Sequence, residues 1–182
     1  MENQSIRAGY EELGVDEYYK EHSDTYSNPH IDRIEYLLKT KTAYENIGNT
    51  VLDLCCGSGE ITNILLNNDI NNKYNIDGLD PYTASAYTRN TGQRCMKLDF
   101  KDIVLGALKN KRYDTIICSY AMHLCEESML NNLLYQLSLI SETLIIVTPH
   151  KRPDIKQWWI EVGHEKYEGT TLKVYKRSSE WV

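Results

Sequence analysis

Two closely spaced glycines follow a short apolar segment in the first third of the chain. Residues 51–60 read VLDLCCGSGE, with Gly57 and Gly59 in the turn. Glycines at the end of a strand let backbone N–H groups approach a ligand without a Cβ atom in the way. A dinucleotide-binding loop has a third glycine where Thr62 stands here, and Glu60 would put an anion where the pyrophosphate binds. The loop therefore favours a ribose with a cationic or zwitterionic tail over a dinucleotide.

Carboxylates follow the next two apolar segments of the sequence. Asp80 lies 21 residues after Gly59, the offset at which an acidic residue takes ribose hydroxyls in such folds. Its two acceptor oxygens match a vicinal diol. Asp99 can accept a hydrogen bond from an exocyclic amine, and Phe100 beside it can cover a base. Two alternatives stay open: Asp80 begins a turn with Pro81, or Asp99 is a surface residue before a helix.

Three histidines are the candidates for proton transfer, because their usual pKa lies near neutrality. His123 stands in SYAMHL, His150 in TPHKRP and His30 in YSNPH. We hypothesise that His123 and His150 face an acceptor, and that His30 belongs to a lid with Tyr26. The alternative for each is a hydrogen-bonded loop histidine. The three lie on separate elements without the local spacing of a zinc motif, so no metal site is predicted.

Composition and charge limit the classes of protein to which the chain can belong. Its 182 residues suit one domain, and 41% of them are apolar. The chain has no run of 18 apolar residues and no signal core at its start, which predicts a cytoplasmic location and leaves a nuclear one open. The net charge of −6 argues against broad nucleic-acid binding but allows a local contact with RNA. Five scattered cysteines are predicted to be reduced thiols: Cys55, Cys56, Cys95, Cys118 and Cys125.

Apolar strand patterns alternate with helical ones along most of the sequence. Such alternation predicts a doubly wound α/β fold with a mostly parallel sheet. Residues 31–44 show helical spacing, and residues 94–100 (RCMKLDF) are predicted as a strand. Residues 158–177 alternate apolar and polar types around Glu168-Gly169, which predicts a C-terminal antiparallel hairpin.

The order of these motifs resembles the class I S-adenosylmethionine-dependent methyltransferases, from about residue 45 to 175. VLDLCCGSG is similar to the family's motif hh-D-h-G-C-G-x-G, with Cys55 where the first glycine usually stands. GLDPY resembles the second motif, KLDF the third and YDTIICSYAMHL the fourth. The resemblance implies a Rossmann-like, seven-stranded fold and a site for S-adenosylmethionine or its product S-adenosylhomocysteine. The implied donor-site residues are Asp53, Cys55, Gly57, Gly59, Asp80, Pro81, Asp99, Phe100, Ser119, Tyr19 and Tyr26.

The same resemblance implies an N-terminal helical cap over residues 1–45 and a donor-binding domain over residues 46–182. The expected activity is methyl transfer to an oxygen or nitrogen of an acceptor, either a small molecule or a macromolecule, without a membrane partner. Two other functions stay open. One is a non-catalytic partner that kept the fold, and the other is an NAD-linked oxidoreductase, against which the missing third glycine counts. Trp158 and Trp159, beside Lys151 and Arg152, either contact an acceptor or begin the hairpin with one ring in the core.

Overall fold

The computed structural model describes residues 28–69, 73–149 and 151–181, and seven strands in this part of the chain form one sheet. The strands are β1 (Thr50–Leu54), β2 (Asn75–Leu79), β3 (Cys95–Met96), β4 (Tyr113–Ser119), β5 (Ser141–Thr148), β6 (Trp159–Tyr167) and β7 (Thr170–Arg177). Their spatial order is β3-β2-β1-β4-β5-β7-β6. Strands β1 to β5 are parallel, and β7 pairs antiparallel with β5 and β6. The predicted fold class is confirmed.

Helices α1 (Ile31–Leu38) and α2 (Lys41–Tyr44) precede β1. The parallel strands are connected by α3 (Glu60–Asn67), α4 (Ala84–Thr91), α5 (Phe100–Val104) and α6 (Glu127–Ile140), and short 3-10 turns lie at Met122–Leu124 and Ser179–Trp181. The helix predicted over 31–44 is divided in two, because the Thr40 side chain accepts from the Ala43 backbone N–H and begins a second helix. Among the helices of the described residues, none is long and apolar enough to cross a bilayer.

The third strand is shorter than the sequence predicts. Only Cys95 and Met96 pair with β2, although the pattern extends over residues 94–100. The Leu98 N–H turns back to the Met96 carbonyl at 3.1 Å, and Asp99 caps helix α5. The local cap therefore ends the strand before its apolar pattern ends.

Alternate residues of the central strands are buried on opposite faces of the sheet. One core cluster contains Leu52, Ile116 and Leu144 together with residues of α6, while the other contains Val51, Ile117 and Ile145 together with residues of α1 and α3. Because both faces are covered, the central parts of the parallel strands are mostly apolar. The strand order reverses between β1 and β4, so a crevice opens beyond the carboxyl ends of these two strands.

The C-terminal hairpin turns where the sequence predicts it. Glu168 and Gly169 both have left-handed backbone conformations, with φ of 43° and 81°, as a tight two-residue hairpin turn requires. The outer strand β6 carries an irregularity between Glu161 and Gly163. On this strand Ile160 and Val162 are each 53% exposed.

Candidate functional site

A cavity of about 210 Å³ lies beyond the carboxyl ends of β1, β2, β3 and β4. This is the position at which open α/β sheets bind their ligands. It contains seven of the predicted donor-site residues and nine others. The lining residues are Cys55, Gly57, Leu79, Asp80, Pro81, Tyr82, Leu98, Asp99, Phe100, Lys101, Ser119, Tyr120, Ala121, Leu124, Glu126 and Met129. We refer to it as the donor cavity.

The turn after β1 forms one wall of the donor cavity and has a left-handed backbone at three positions. The φ angles are 57° at Cys55, 55° at Gly57 and 98° at Gly59. A non-glycine residue in this region costs about 1–2 kcal/mol, so Cys55 adopts at some cost the conformation for which the related motif uses glycine. Gly59 does not line the cavity. A Cβ atom there would lie 2.3 Å from the Thr91 side chain, so the glycine allows α4 to approach the turn closely.

Asp53 faces away from the donor cavity, contrary to its predicted place among the donor-site residues. It is 1% exposed, and its Oδ2 accepts from the Thr62 hydroxyl at 2.8 Å and from the Thr62 backbone N–H at 3.2 Å. The reason is the alternation of β1: Leu52 and Leu54 face the other core cluster, so Asp53 faces helix α3. Asp53 therefore positions the start of α3, which carries the turn.

Asp80 lines the donor cavity and also organises the backbone around it. Its Oδ1 accepts from the N–H groups of Tyr82 and Thr83, both at 2.9 Å. Its Oδ2 accepts from the Gly57 N–H at 3.3 Å. The turn interpretation is correct, and the ribose interpretation stays a prediction, for which Oδ2 keeps capacity for a further donor. The Asp80 carboxylate joins the turns after β1 and β2.

Asp99 and Phe100 line the same cavity at the end of β3. Asp99 Oδ1 accepts from the Asp102 N–H at 2.9 Å, and Asp102 Oδ2 accepts from the Asp99 N–H at 3.0 Å. This reciprocal capping box fixes the first turn of α5. The alternative interpretation, a residue that precedes a helix, is correct for Asp99, but the residue also faces the cavity.

Ser119 and Tyr120 form the wall at the end of β4. The Ser119 Oγ atom is buried and has no hydrogen-bond partner among the described residues. Tyr120 has a left-handed backbone, with φ of 54°, and its hydroxyl lies 2.5 Å from the Thr170 hydroxyl on β7. A buried hydroxyl without a partner is a place where a ligand can satisfy a polar group. Ser119 is thus a candidate ligand contact.

The first described residues lie across the turn after β1. Glu60 Oε1 accepts from the Asn28 backbone N–H at 2.8 Å and from the Ser58 hydroxyl at 2.9 Å. His30 stacks on Tyr120 with 5.1 Å between ring centroids. Burial, followed by the Arg33 charge, lowers the pKa of His30, which favours the neutral imidazole. These contacts place His30 beside Tyr120 of the donor cavity but not among the lining residues, and its role in a lid stays a prediction.

Other predicted residues lie outside the described part of the chain. They are Tyr19 and Tyr26 in the N-terminal segment, and His150 after β5. Their predicted roles stay predictions, as does the division into residues 1–45 and 46–182.

His123 lines a second cavity and not the donor cavity. This space, of about 520 Å³, lies between the first half of α6 and residues 152–157. Trp158 donates to Asn131 Oδ1 and Trp159 to the Leu134 carbonyl, both at 3.0 Å, which fastens the segment to α6. Trp159 is 3% exposed at the start of β6, as the core interpretation of the Trp pair predicts.

The sequence analysis missed several residues of the donor cavity. Tyr82 lies two residues after Asp80, Leu98 precedes Asp99, and Tyr120 follows Ser119. Each is next to, or one residue away from, a predicted residue at the end of a strand. The signal that could have found them is position at the sheet edge, because no residue type sets them apart.

One curated protein shares sequence with most of the chain. The chain is 31% identical over 195 residues to "Uncharacterized protein C17A5.05c" of Schizosaccharomyces pombe, which covers 85% of this chain and 78% of that protein. The chain belongs to the family of this fission-yeast protein. No protein-family model matches the chain.

Solved structures decide the fold family. The N-methyltransferase NodS from Bradyrhizobium japonicum WM9, in complex with S-adenosyl-L-homocysteine, matches with a TM-score of 0.67 and 11% identity over 94% of this chain and 99% of that chain. The present chain therefore has the class I methyltransferase fold. Magnesium protoporphyrin IX methyltransferase (ChlM) from Synechocystis PCC 6803 with bound SAM has a TM-score of 0.58 and 16% identity over 98% and 100% of the two chains. The PH0226 protein from Pyrococcus horikoshii OT3 has a TM-score of 0.64 and 16% identity over 88% and 95%.

Proposed function

We propose that the protein binds S-adenosylmethionine and transfers its methyl group to an oxygen or nitrogen atom of an acceptor. The observation that carries this proposal is the composition of the donor cavity. Gly57, Asp80 and Asp99 follow β1, β2 and β3, and Ser119 is the last residue of β4, yet all four line one cavity. NodS, with the same fold, is described with S-adenosylhomocysteine, and ChlM with SAM.

The donor cavity offers groups that fit the three parts of such a donor. Asp80 Oδ2 keeps capacity for a ribose hydroxyl. Phe100 supplies an apolar face for adenine, and Asp99 lies beside it as an acceptor for the exocyclic amine. The left-handed turn at Gly57 leaves space without a Cβ atom for the amino-acid tail, near the unpartnered hydroxyl of Ser119.

When bound, S-adenosylmethionine supplies an activated methyl group, so the protein's main contribution is to hold the acceptor in line with it. The His30–Tyr120 stack lies beside the wall of the cavity at the end of β4, where Tyr120 is a lining residue. A neutral His30 can accept a proton from an acceptor that arrives protonated. Tyr19 and Tyr26 stay in the proposal as donor-site residues, with Tyr26 also beside His30 on the lid, and His150 stays as a residue that faces the acceptor. His123 stays a candidate for the same role, although it lines the neighbouring cavity. A cytoplasmic location also stays part of the proposal.

Isothermal titration calorimetry with S-adenosylhomocysteine and with NAD tests the donor. We expect binding of S-adenosylhomocysteine and none of NAD, because Glu60 lies buried at the start of α3, where a pyrophosphate would bind. Absence of affinity for both S-adenosylmethionine and its product would overturn the assignment. The methyl-transfer step is tested with methyl-labelled donor and fractionated cell extract. Donor binding without transfer to any fraction would favour the non-catalytic partner.

A further inference from the structure

Four of the five cysteines meet in two pairs around the end of β1, although the sequence scatters them. Cys56 Sγ lies 3.6 Å from Cys95 Sγ, and the neighbouring Cys118 thiol raises the pKa of Cys55. Cys125 belongs to neither pair and lines the second cavity. All five are free thiols.

Each pair joins a half-buried thiol to a buried one. In the Cys55–Cys118 pair the buried partner is Cys118, and Cys55 lines the donor cavity. Cys95 is only half-buried and lies on the edge strand β3, whereas Cys56 beneath it is 3% exposed. Burial raises the pKa of the Cys56 thiol. An accessible thiol beside a second one is the arrangement that reversible oxidation requires, with the buried thiol resolving the product.

We propose that Cys56 and Cys95 are a redox modification site, at which a peroxide converts the two thiols into a disulfide that weakens donor binding. The Cys95 thiolate attacks a peroxide oxygen, the O–O bond breaks, and water and a Cys95 sulfenic acid result. Cys56 Sγ then attacks Cys95 Sγ, the S–O bond breaks, and a second water leaves. Two thiols lose two electrons and two protons, and hydrogen peroxide becomes two waters. A dithiol reductant reverses the change by exchange.

The disulfide would act on the donor cavity through the backbone beside each sulfur. Cys56 stands between Cys55 and Gly57, which both line the cavity, and its N–H donates to the Leu79 carbonyl at 3.0 Å. Cys95 Sγ lies 3.9 Å from the Asp80 carbonyl oxygen. A disulfide bond is about 2.05 Å long, so the sulfurs must approach each other by roughly 1.5 Å. The left-handed turn and the Asp80 contact to Gly57 would both have to adjust.

The site is tested first by chemistry that does not depend on the donor. Fully reduced protein is treated with hydrogen peroxide, remaining thiols are alkylated, and peptides are mapped by mass spectrometry. We expect a reducible Cys56–Cys95 cross-link that is absent from Cys95→Ser and retained in Cys125→Ser, the matched control. A Cys55–Cys118 cross-link in its place, or over-oxidation of Cys95 without a cross-link, would overturn the proposal.

The effect on the donor cavity rests on the proposed function and is measured separately. Calorimetry with S-adenosylhomocysteine on the reduced and oxidised wild type should show at least a tenfold weaker affinity after oxidation, restored by dithiothreitol. Cys95→Ser should bind equally before and after peroxide. A mapped disulfide with unchanged affinity for S-adenosylhomocysteine would contradict the proposed effect on donor binding. If the reduced protein does not bind S-adenosylhomocysteine at all, the proposed function is contradicted, while the peptide mapping still tests the Cys56–Cys95 site.

Discussion

Thr62 on α3 donates its hydroxyl to the buried carboxyl group of Asp53 on β1, at 2.8 Å between oxygens. The Tyr87 hydroxyl of α4 lies 2.9 Å from the same Thr62 oxygen. Three elements are thus joined by one chain of polar groups beneath the turn that forms the donor cavity. Thr62 occupies the place of the third glycine in a dinucleotide-binding loop. The residue that makes NAD binding unfavourable in the sequence analysis thus also connects β1, α3 and α4 through hydrogen bonds.

Replacing Thr62 with valine should destabilise the protein by about 1–3 kcal/mol. Valine keeps the shape of threonine but leaves Asp53 and Tyr87 without their shared hydroxyl, and an unsatisfied buried polar group costs this much. The free energy of unfolding from urea titrations measures the loss. Thr88→Val, an exposed position of α4, is the control and should lie within about 0.5 kcal/mol of wild type. Equal effects at both positions would contradict the polar chain.

Asp53 should make stability depend on pH. Burial is the main cause that raises the pKa of this carboxyl from 3.8 to about 8. Between these values the folded protein holds a proton that the unfolded chain has released, so the free energy of unfolding should fall as pH rises from about 4 to about 8. Below pH 4 and above pH 8 the contribution should level off. Asp53→Asn cannot titrate, and its unfolding free energy across this window should fall less steeply than that of wild type; parallel curves would refute the assignment.

Alanine substitutions at two glycines with left-handed backbones distinguish the cost of backbone strain from the cost of a steric clash. Gly92 has φ of 69° and open space around its missing Cβ atom, so Gly92→Ala should cost only the conformational strain of about 1–2 kcal/mol. Gly59 has φ of 98°, but a Cβ atom there meets the Thr91 side chain at 2.3 Å and the Tyr87 ring at 3.3 Å. Gly59→Ala should therefore lower the melting temperature clearly more than Gly92→Ala. Similar melting temperatures would show that α4 yields without cost.

Asp80→Asn should weaken S-adenosylhomocysteine binding at least tenfold while the protein stays folded. Asparagine keeps one oxygen for the N–H groups of Tyr82 and Thr83, but an amide replaces the oxygen left for a ribose hydroxyl. Calorimetry measures the affinity, and circular dichroism checks the fold. Asp77→Asn is the matched control, because Asp77 lies on β2, shortly before Asp80, but binds Lys111 and Tyr113 outside the cavity. Equal loss in both variants would remove Asp80 from the ribose site.

Most of the fold follows from patterns that are local in sequence. The central parts of the parallel strands are mostly apolar because both faces are covered, and the hairpin turn is marked by Glu168-Gly169. The errors arose where a side chain caps a helix inside an apolar pattern, as Thr40 does between α1 and α2 and Asp99 does after β3. Hydrophobic periodicity does not contain information about such a hydrogen bond. The observed element boundaries therefore differ from the predicted ones, whereas the order of the elements is as predicted.

Residues of the candidate site could be predicted where they stand at the ends of strands. They were harder to predict where their place depends on the direction in which the side chain points. Asp80 and Asp99 follow strands, Ser119 ends β4, and all three line the cavity. Asp53, within β1, was assigned by motif position, but the alternation of the strand turns it toward α3. His123 follows β4 as expected, yet the short 3-10 turn that contains it presents this residue to the second cavity. The Cys56–Cys95 pair depends on a contact 39 residues apart in sequence, which no local pattern contains.

Both edge strands of the sheet are poorly suited to pair with a strand of another molecule. At one border, β3 offers only two paired residues, too few to start a ladder with another molecule. At the other, the irregularity between Glu161 and Gly163 interrupts the regular spacing of amide and carbonyl groups along β6, beside the exposed Ile160 and Val162. The molecule can therefore keep apolar side chains on an outer strand without inviting strand-by-strand polymerisation.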